Sequence, residues 1–346
     1  MKTEISKFRK INRKPINSSP EKLIKTEFLH REKEFPLVIK PIIKGLDPIS
    51  WGTKNREFVE KNLLKYGAIL FRNFEIETVD KFEQFIAAIC QPALEYKYRA
   101  SPRTQVSGNI YTSTDYPADQ SIFPHNEHSY SPTFPLRILF FCLTPASAGG
   151  ETPIGRCRNI LQQIDRDIQE RFQAKKIMYL RNFGDGFGLP WQTVFQTTDK
   201  TKVEAYCRQN NIQWKWKGEE GLRTRQVGSA FVSHPQTKEK VWFNHATFFH
   251  VSTLKPQIRD ALFSGFKEEN LPTNTYYGDG SPIEASVLDH LRNAYQQEMI
   301  TFSWQKGDVL LLDNMLAVHG RYPYQGVRKI VVGMAQAINS KDVAVK

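Results

Sequence analysis

The chain has 346 residues, of which 40% are apolar and 12% aromatic, so it can bury a sizeable core. This composition excludes an intrinsically disordered protein, and no apolar run is long enough to predict a transmembrane helix. No apolar stretch of the signal-peptide kind follows the N-terminus, so we expect a soluble, cytoplasmic protein. The four cysteines lack the close spacing of a zinc site, which favours buried, reduced thiols.

Residues 1–34 are rich in lysine and arginine, and the whole chain carries a formal charge of +12. We predict a mobile basic tail at 1–34 and a single domain at 35–340, since large β scaffolds with insertions often form one domain. No nucleic-acid-binding module follows the tail, which argues against nucleic acid as a partner. The positive charge would instead suit an acidic carrier protein or an anionic small substrate.

The first half of the predicted domain reads as alternating helices and strands before a stretch of mixed aromatic and polar residues. The pattern predicts a helix near 54–66, a strand at 68–71 and a helix near 79–90. In the following stretch, 96–130, we expect some side chains on an ordinary strand surface and others in the wall of a binding cavity.

His125 and Glu127 form a His-x-Glu pair inside the segment 121–130. If this segment is a strand, residues two apart point to the same face, so the imidazole and the carboxylate can bind one ion. The spacing alone is weak evidence, because His30 and Glu32 share it. That second pair lies in a charged segment without an apolar strand, whereas His125 precedes the strand-like stretch 136–143. We therefore prefer the pair at 125 and 127.

The next segment, 149–152 (GGET), predicts a tight turn that leads into a strand, because paired glycines permit backbone conformations that other residues avoid. Beyond it the pattern predicts a helix at 156–176, strands within 200–254, and helices near 255–268 and 284–298. The glycine- and aromatic-rich segment 182–191 is either a movable lid or a plain loop. His234, His245 and His250 have no acidic residue two positions away, so we expect them in the core or in a cavity wall.

Near the C-terminus, the apolar run 309–312 is entered through Gly-Asp and is too short for a globular helix, so it predicts a core strand. His319 is expected at the end of a neighbouring strand. Taken alone, a hydrogen-bonded histidine at the rim of a scaffold is more common than a metal ligand. With His125 and Glu127, however, His319 completes two nitrogens and one carboxylate, the set that holds non-haem Fe(II) and leaves the opposite positions open.

Four motifs together resemble the TauD/TfdA, or taurine dioxygenase-like, family of Fe(II)- and 2-oxoglutarate-dependent oxygenases. The motifs lie within 37–337 and comprise 66–74 (YGAILFRNF), 125–127 (HNE), 149–154 (GGETPI), and 313–328 (DNMLAVHGRYPYQGVR). Glutamate at 127, where many members have aspartate, looks like the clavaminate synthase-like amino-acid hydroxylases of nonribosomal peptide pathways. The resemblance implies a mainly β fold with α, in which a double-stranded β-helix, or jelly-roll, core carries flanking helices and a long insertion.

The resemblance also implies that the three ligands bind Fe(II), and that 2-oxoglutarate and O2 are the co-substrates. Thr152 matches a family threonine that contacts 2-oxoglutarate. Arg328, which we place on a strand at 327–334, matches the family arginine, and its planar fork suits the distal carboxylate. Arg321 is expected to be a structural ion-pair partner. Three residues close to the ligands are candidates for the substrate site: Asn126, Ser129 and Tyr130.

The activity that the resemblance implies is hydroxylation of an unactivated C–H bond, with release of succinate and CO2. The leading expectation is the β-carbon of an amino acid, free or tethered to a carrier protein, in natural-product or antibiotic biosynthesis. Retention of Glu127 favours hydroxylation over halogenation, while desaturation, cyclisation and assembly into a homo-oligomer stay open. The alternatives are a catabolic sulfonate or carboxylate oxygenase of the same family, a non-catalytic binding protein, and a zinc hydrolase with the same ligands.

Overall fold

The computed structural model describes residues 23–95, 103–114, 116–184 and 189–345. Strands dominate these ranges. In chain order they are β1 (Ile24–His30), β2 (Phe35–Pro41), β3 (Ala68–Phe71), β4 (Gln105–Ser107), β5 (Ile110–Thr112), β6 (Ile122–His125), β7 (Thr133–Thr144), β8 (Ala148–Gly149), β9 (Ile154–Arg156), β10 (Ile177–Phe183), β11 (Ile212–Lys217), β12 (Gly221–Gly228), β13 (Phe231–Ser233), β14 (Lys240–Trp242), β15 (Thr273–Tyr277), β16 (Val309–Asp313), β17 (Ala317–Arg321), β18 (Tyr324–Gln325) and β19 (Lys329–Asn339).

The α-helices lie mainly before the first metal-motif residue and in the long segment between the two parts of the metal motif. They are α1 (Pro48–Lys54), α2 (Arg56–Tyr66), α3 (Val79–Ile89), α4 (Cys157–Gln163), α5 (Arg166–Lys175), α6 (Trp191–Phe195), α7 (Lys200–Gln209), α8 (Pro256–Gly265) and α9 (Ala285–Glu298). Short 3-10 helices occur at Val251–Thr253, Glu268–Asn270 and Ser340–Val343.

An eight-stranded sheet forms the centre of the molecule, in the order β1-β2-β3-β16-β7-β19-β5-β4. The β2–β3 pair is parallel, and the other neighbours in this sheet are antiparallel. All five residues of β16 are buried, as the apolar run in the sequence predicts. Because side chains alternate across a strand, Val309 and Leu311 pack with Phe82 and Phe85 of α3, whereas Leu310 and Leu312 pack in the separate cluster on the other face.

A three-stranded sheet, β6-β17-β9, carries His125 and His319. A two-stranded sheet, β18-β8, is formed by the strand that precedes β9 and the strand that follows β17. In the three-stranded sheet, β6 and β17 are antiparallel, and His319 is the register partner of His125. On its other side His319 is the register partner of Ile154 in β9. Two strands that are far apart in the chain are thus paired at their histidines.

The predicted long insertion contributes a four-stranded antiparallel sheet, β11-β12-β10-β15. Its inner face packs into the largest hydrophobic cluster, which includes Tyr179, Phe183 and Tyr277. The same cluster contains Tyr130 and Phe249, which line the cavity described below. The insertion therefore builds a wall around the site.

Several element bounds differ from the sequence prediction. The strand β1 lies inside the predicted tail and pairs with β2, so residues 24–34 are part of the folded unit; residues 1–22 lie outside the described ranges. The helix predicted at 156–176 is two helices, separated by extended backbone at Asp165, whose N–H donates to His290. Arg328 directly precedes β19 and does not lie on it. Residues 185–188 of the lid or loop segment are outside the described ranges.

None of the described helices has the length and the apolar composition that a membrane crossing requires. All four cysteines, Cys90, Cys142, Cys157 and Cys207, are buried free thiols, as predicted. Burial raises the pKa of the Cys157 thiol to about 12, so this thiol is protonated and unreactive at neutral pH.

Candidate metal centre

His125, Glu127 and His319 converge at one buried point. Each offers a ligand atom, and these atoms all lie within 4.8 Å of one another. The pairing of β6 with β17 accounts for the two imidazoles, whose ring centroids are 4.6 Å apart. The sequence-predicted triad is therefore assembled in space, although its last two members are 192 positions apart in the chain.

Glu127 reaches this point by a different route from the predicted one. The strand β6 ends at His125, so Glu127 lies beyond it and the same-face rule for a strand does not apply. The backbone of Glu127 is instead bound by the side chain of Asn314. The chain then turns at His128, whose φ of +57° is in the left-handed region.

The electrostatics of the triad keep all three side chains deprotonated at neutral pH. Burial lowers the pKa of His125, and burial together with the nearby His125 lowers that of His319 well below 6.5. Burial alone would raise the pKa of Glu127, but Arg103 and three neighbouring histidines lower it to about 2. Metal binding requires neutral imidazoles and an ionised carboxylate, and this is the state in which the residues are held.

The hydrogen bonds of the triad also leave its candidate metal-coordinating atoms available. The Nδ1 of His125 lies 2.9 Å from the carbonyl oxygen of Phe123, so that nitrogen carries the proton and Nε2 is left with its lone pair. The Nε2 of His319 lies 3.8 Å from the Oε2 of Glu127. Two imidazole nitrogens and one carboxylate oxygen match the donor set of a mononuclear non-haem Fe(II) centre, so the residues fit this metal.

A small cavity of about 30 Å³ adjoins the triad and contains both residues that were predicted to bind 2-oxoglutarate, Thr152 and Arg328. The Oγ1 of Thr152 accepts a hydrogen bond from Nε1 of Trp304 at 3.0 Å. The Nε of Arg328 donates to the carbonyl oxygen of Gly150 at 3.0 Å. Burial, with the charge of Arg321, lowers the pKa of Arg328 to about 10, so its guanidinium remains charged at neutral pH.

A large cavity of about 470 Å³ adjoins the triad as well, and its size suits a small-molecule ligand. Its polar lining includes Arg103, His125, Glu127, His128, His245 and Lys255. Its aromatic lining includes Tyr116, Phe123, Tyr130, Phe248 and Phe249. The ring of Phe248 stacks on His125 with centroids 4.2 Å apart, so the aromatic wall reaches the triad.

The three residues predicted near the substrate have different positions. Tyr130 lines the large cavity. Ser129 lies behind the cavity wall, with its Oγ 2.5 Å from Nδ1 of His245. Asn126 is fully buried, and its side-chain amide donates to the carbonyl oxygen of Asn314 at 2.6 Å. Proximity in sequence was misleading for Asn126, because consecutive residues after a strand point in different directions.

Arg321 is also structural, but it is not the expected ion-pair partner. Its guanidinium donates to the carbonyl oxygens of Tyr116, Pro117 and Gln120, at 2.9, 2.5 and 2.7 Å. This segment contributes Tyr116 and Gln120 to the large cavity. Arg321, two residues beyond His319, thus fixes part of the cavity wall to β17.

Sequence reasoning gave no individual role to Arg103, His128 or Asn314, all of which surround Glu127. It placed Arg103 only among the residues of 96–130 that lie either on a strand surface or in a cavity wall, and the structure places it in the wall. His128 lines the large cavity, and its Nε2 lies 3.5 Å from the Oε1 of Glu127. Asn314 was part of a quoted motif without a role. The sequence signal for Asn314 was its position shortly before the segment that contains His319. No local pattern pairs Arg103 with Glu127, which lies 24 positions later.

Comparison with known proteins places these observations in a family. The taurine catabolism dioxygenase TauD, TfdA family matches residues 34–334. The dapdiamide synthesis protein DdaC of Enterobacter agglomerans is 37% identical over 311 residues, which cover 87% of this chain and 94% of DdaC. A clavaminate synthase-like protein of Arabidopsis thaliana is 26% identical over 327 residues, covering 89% of this chain and 95% of that protein.

Solved structures share the fold at low sequence identity. The crystal structure of PvcB from Pseudomonas aeruginosa has a TM-score of 0.55 at 14% identity, with 95% of each chain covered. A second PvcB structure is described as an Fe, α-ketoglutarate-dependent oxygenase from an isonitrile synthetic pathway. AAD-2 in complex with Mn(II) and N-oxalylglycine has a TM-score of 0.52 at 13% identity, covering 93% of this chain and 98% of that chain. With the family match over most of its length, the chain belongs to the taurine catabolism dioxygenase TauD, TfdA family, and it is a dioxygenase of the iron- and 2-oxoglutarate-dependent type.

Proposed function

We propose that this protein hydroxylates an unactivated C–H bond of an amino acid, free or tethered to a carrier protein, in a natural-product pathway, and that the β-carbon is the site of attack. The observation that carries the proposal is the position of the buried triad, which adjoins a small and a large cavity. The relationship to a dapdiamide synthesis protein at 37% identity supports a biosynthetic role. The likeness to the solved structures supports a double-stranded β-helix for the strands that surround the triad.

In this proposal His125, Glu127 and His319 hold Fe(II). The bound iron, with 2-oxoglutarate and O2, supplies the oxidising chemistry that replaces hydrogen by hydroxyl, and succinate and CO2 are released. The protein contributes a fixed ligand set on one face of the metal, so the opposite face is open to co-substrate and substrate. Glu127 occupies the position that a halide would need, which favours hydroxylation.

In this scheme the small cavity, whose volume is about 30 Å³, receives the distal carboxylate of 2-oxoglutarate and not the whole molecule. The guanidinium of Arg328 can bind the distal carboxylate with two parallel hydrogen bonds, which a lysine cannot do. Gly150 holds Arg328 through Nε, which leaves the terminal nitrogens for the ligand. Thr152 offers its hydroxyl hydrogen, because its oxygen already accepts from Trp304.

The large cavity binds the substrate. Its aromatic side chains, among them Phe248 and Phe249, exclude water from the reacting C–H bond, and Tyr130 bounds the same space. His245 is held neutral, since burial lowers its pKa well below 6.5. A neutral imidazole can orient a polar group of an amino acid by one hydrogen bond without adding charge.

A catabolic oxygenase acting on a sulfonate or small carboxylate is the second candidate. Two cationic side chains in the lining of the large cavity, Arg103 and Lys255, favour it. Lys255 also donates to the carbonyl oxygen of Asp119 at 3.1 Å, so its charge lies beside the segment that contains Gln120.

Succinate formation from 2-oxoglutarate under air with Fe(II) tests both candidates. A panel of free amino acids, carrier-loaded amino acids, sulfonates and small carboxylates would be added to the purified protein. We expect one amino-acid class to stimulate iron-dependent succinate formation, and the variants His319→Ala and Glu127→Ala to abolish it. The matched control is His290→Ala, which removes a half-buried imidazole that lies 3.8 Å from Asp165, away from both cavities. Stimulation by sulfonates alone would favour the second candidate, and no succinate from iron-loaded protein would exclude both.

A further inference from the structure

Arg103 makes a buried ion pair with the carboxylate of the metal motif. Its Nη2 donates to the Oε2 of Glu127 at 2.8 Å, and the two side chains are only 3% and 6% exposed. The same Oε2 lies 3.8 Å from Nε2 of His319, whereas the other oxygen, Oε1, lies 3.5 Å from Nε2 of His128. A carboxylate oxygen has two acceptor sites, so Oε2 can accept from Arg103 and still offer a lone pair to a metal. Arg103 therefore orients Glu127 without blocking it as a ligand.

Arg103 is also one of the residues that line both cavities. In the small cavity it accompanies Arg328 and Thr152. The two arginines make different contacts there, because Arg328 binds the backbone of Gly150 whereas Arg103 binds a metal-motif side chain. A third arginine of this lining, Arg321, donates to three backbone carbonyl oxygens of the segment 116–120. The small cavity thus has a cationic group beside Glu127 in addition to those at Gly150 and on β17.

The charge of Arg103 has opposite effects on the two components that the centre binds. A guanidinium beside a divalent cation opposes metal binding, whereas it favours a dianion such as 2-oxoglutarate. Burial strengthens both effects, since little solvent screens the charges. The ion pair with Glu127 offsets the cost for the metal, because it keeps the carboxylate ionised and in place.

On the basis of the function proposed above, we propose that Arg103 is a co-substrate-binding residue: it provides the positive charge for the keto-acid end of 2-oxoglutarate while it orients Glu127. In this arrangement each carboxylate of the co-substrate meets its own arginine. Arg328 binds the distal one and Arg103 binds the one next to the metal.

Calorimetric titration of 2-oxoglutarate into protein saturated with Mn(II) tests this assignment without turnover. We expect Arg103→Met to weaken 2-oxoglutarate binding about 10- to 100-fold, the loss associated with a charge-assisted hydrogen bond. Arg103→Lys should recover part of the affinity, since lysine keeps the charge but lacks the planar fork. Affinity for Mn(II) alone should stay within a few-fold of wild type in Arg103→Met, because the repulsion that is removed and the support of Glu127 that is lost act in opposite directions.

The control is Arg72→Met. Arg72 forms another buried ion pair, with Asp308, through bonds of 2.9 and 2.7 Å, and it lines neither cavity. The Arg72→Met variant should lose thermal stability and keep wild-type affinity for 2-oxoglutarate. If Arg103→Met does not fold, Arg103→Gln replaces it, since glutamine retains a donor for Glu127 but no charge, and the same weakening is expected.

Wild-type affinity in the folded, Mn(II)-saturated Arg103→Met or Arg103→Gln variant would overturn the assignment. A weakening that disappears once Mn(II) is saturating would also overturn it, because Arg103 would then serve only the metal site. Failure of the wild-type protein to bind 2-oxoglutarate is a separate outcome, which would overturn the proposed function itself.

Discussion

Asn314 binds the backbone of Glu127 on both sides. Its Oδ1 accepts from the N–H of Glu127 at 2.8 Å, and its Nδ2 donates to the carbonyl oxygen of Glu127 at 2.9 Å. The same Nδ2 donates to the carbonyl oxygen of Pro135 at 2.8 Å. One amide thus joins the turn after β6, the start of β7 and the turn before β17, and it fixes a metal-motif residue that no strand holds.

Replacement of this amide should separate metal binding from overall stability. We expect Asn314→Ala to lower the free energy of unfolding by about 1–3 kcal/mol, because buried backbone groups lose their partners. We also expect it to weaken Mn(II) binding about 10-fold or more, the usual cost of removing support for a ligand. Chemical denaturation and calorimetry measure the two quantities.

The control is Asn182→Ala. Asn182 is another buried asparagine whose amide donates to two carbonyl oxygens, those of Glu269 and Leu271, in the insertion sheet. The Asn182→Ala variant should lose a similar amount of unfolding free energy and retain wild-type affinity for Mn(II). An equal loss of metal affinity in both variants would mean that Asn314 has no specific role at Glu127.

Gly150 provides a second test, because its backbone meets Arg328. Its φ is +73°, and an added Cβ would lie 3.0 Å from the Cδ and 3.1 Å from the Nε of Arg328. We therefore expect Gly150→Ala to displace the guanidinium and to weaken 2-oxoglutarate binding to Mn(II)-loaded protein about 10-fold, within the range for a charge-assisted hydrogen bond. Calorimetry with 2-oxoglutarate measures this change.

Gly45→Ala is a matched control for backbone strain. Gly45 has nearly the same φ, +72°, and an added Cβ would have no heavy atom within 4 Å. Both variants should lose roughly 1 kcal/mol of stability from the left-handed backbone, but only Gly150→Ala should lose affinity for 2-oxoglutarate. Equal affinities would indicate that Arg328 moves aside without consequence.

The sequence was sufficient where a local pattern determines the structure. The strands at Ala68–Phe71 and Val309–Asp313 follow from apolar runs bounded by turns, and the helix Val79–Ile89 follows from its apolar periodicity. The triad followed from residue chemistry and motif resemblance. The amphipathic pattern at 156–176 did not reveal the break at Asp165, because a contact with α9 stabilises it.

The rest depends on long-range contacts that spacing does not encode. β1 was assigned to a tail because residues 1–34 are rich in lysine and arginine, yet its pairing with β2 gives it a place in the sheet. Asn126 was assigned to the substrate, although its partners are Asn314 and Cys157. The pairing of Arg103 with Glu127 is likewise a tertiary contact, and nothing in the local pattern predicts it.

The buried histidines predict an acid-labile apo protein. Burial lowers the pKa of His128 to about 4, whereas the ordinary value is 6.5. The unfolded state therefore binds a proton between these two pH values that the folded state does not, so stability falls as the pH drops from 6.5 to 4. Glu127 acts in the same direction at lower pH, since its pKa is about 2 in the folded state and 4.5 ordinarily.

The variant His128→Asn isolates one of these protons. Asparagine tolerates the left-handed backbone at this position, where φ is +57°. Denaturant unfolding of the chelator-treated proteins at pH values between 6.5 and 4 measures this contribution. Over this range the free energy of unfolding should fall by roughly 3 kcal/mol less in the variant than in the wild type, because the pKa of His128 rises from about 4 in the folded state to 6.5 in the unfolded state. An identical pH dependence in the two proteins would show that His128 does not titrate in this range.

Arg321 gives the final prediction, because its guanidinium fixes the cavity segment 116–120 through three backbone carbonyl oxygens. Arg321→Met should release this segment, since methionine fills similar space but donates no hydrogen bond. We expect faster amide hydrogen exchange in peptides covering 116–124, with Mn(II) affinity within a few-fold of wild type.

Arg321→Lys should show an intermediate effect, because a single ammonium group cannot reach three carbonyl oxygens in the same geometry. The control is Arg292→Met, which removes hydrogen bonds from α9 to Ser252 in the 3-10 helix Val251–Thr253 and to Asp289 on α9 itself, and which should leave exchange in 116–124 unchanged. Protection of that segment in Arg321→Met at the wild-type level would mean that its other contacts, such as the bond from the N–H of Tyr324 to the carbonyl oxygen of Ala118, suffice to hold the cavity wall.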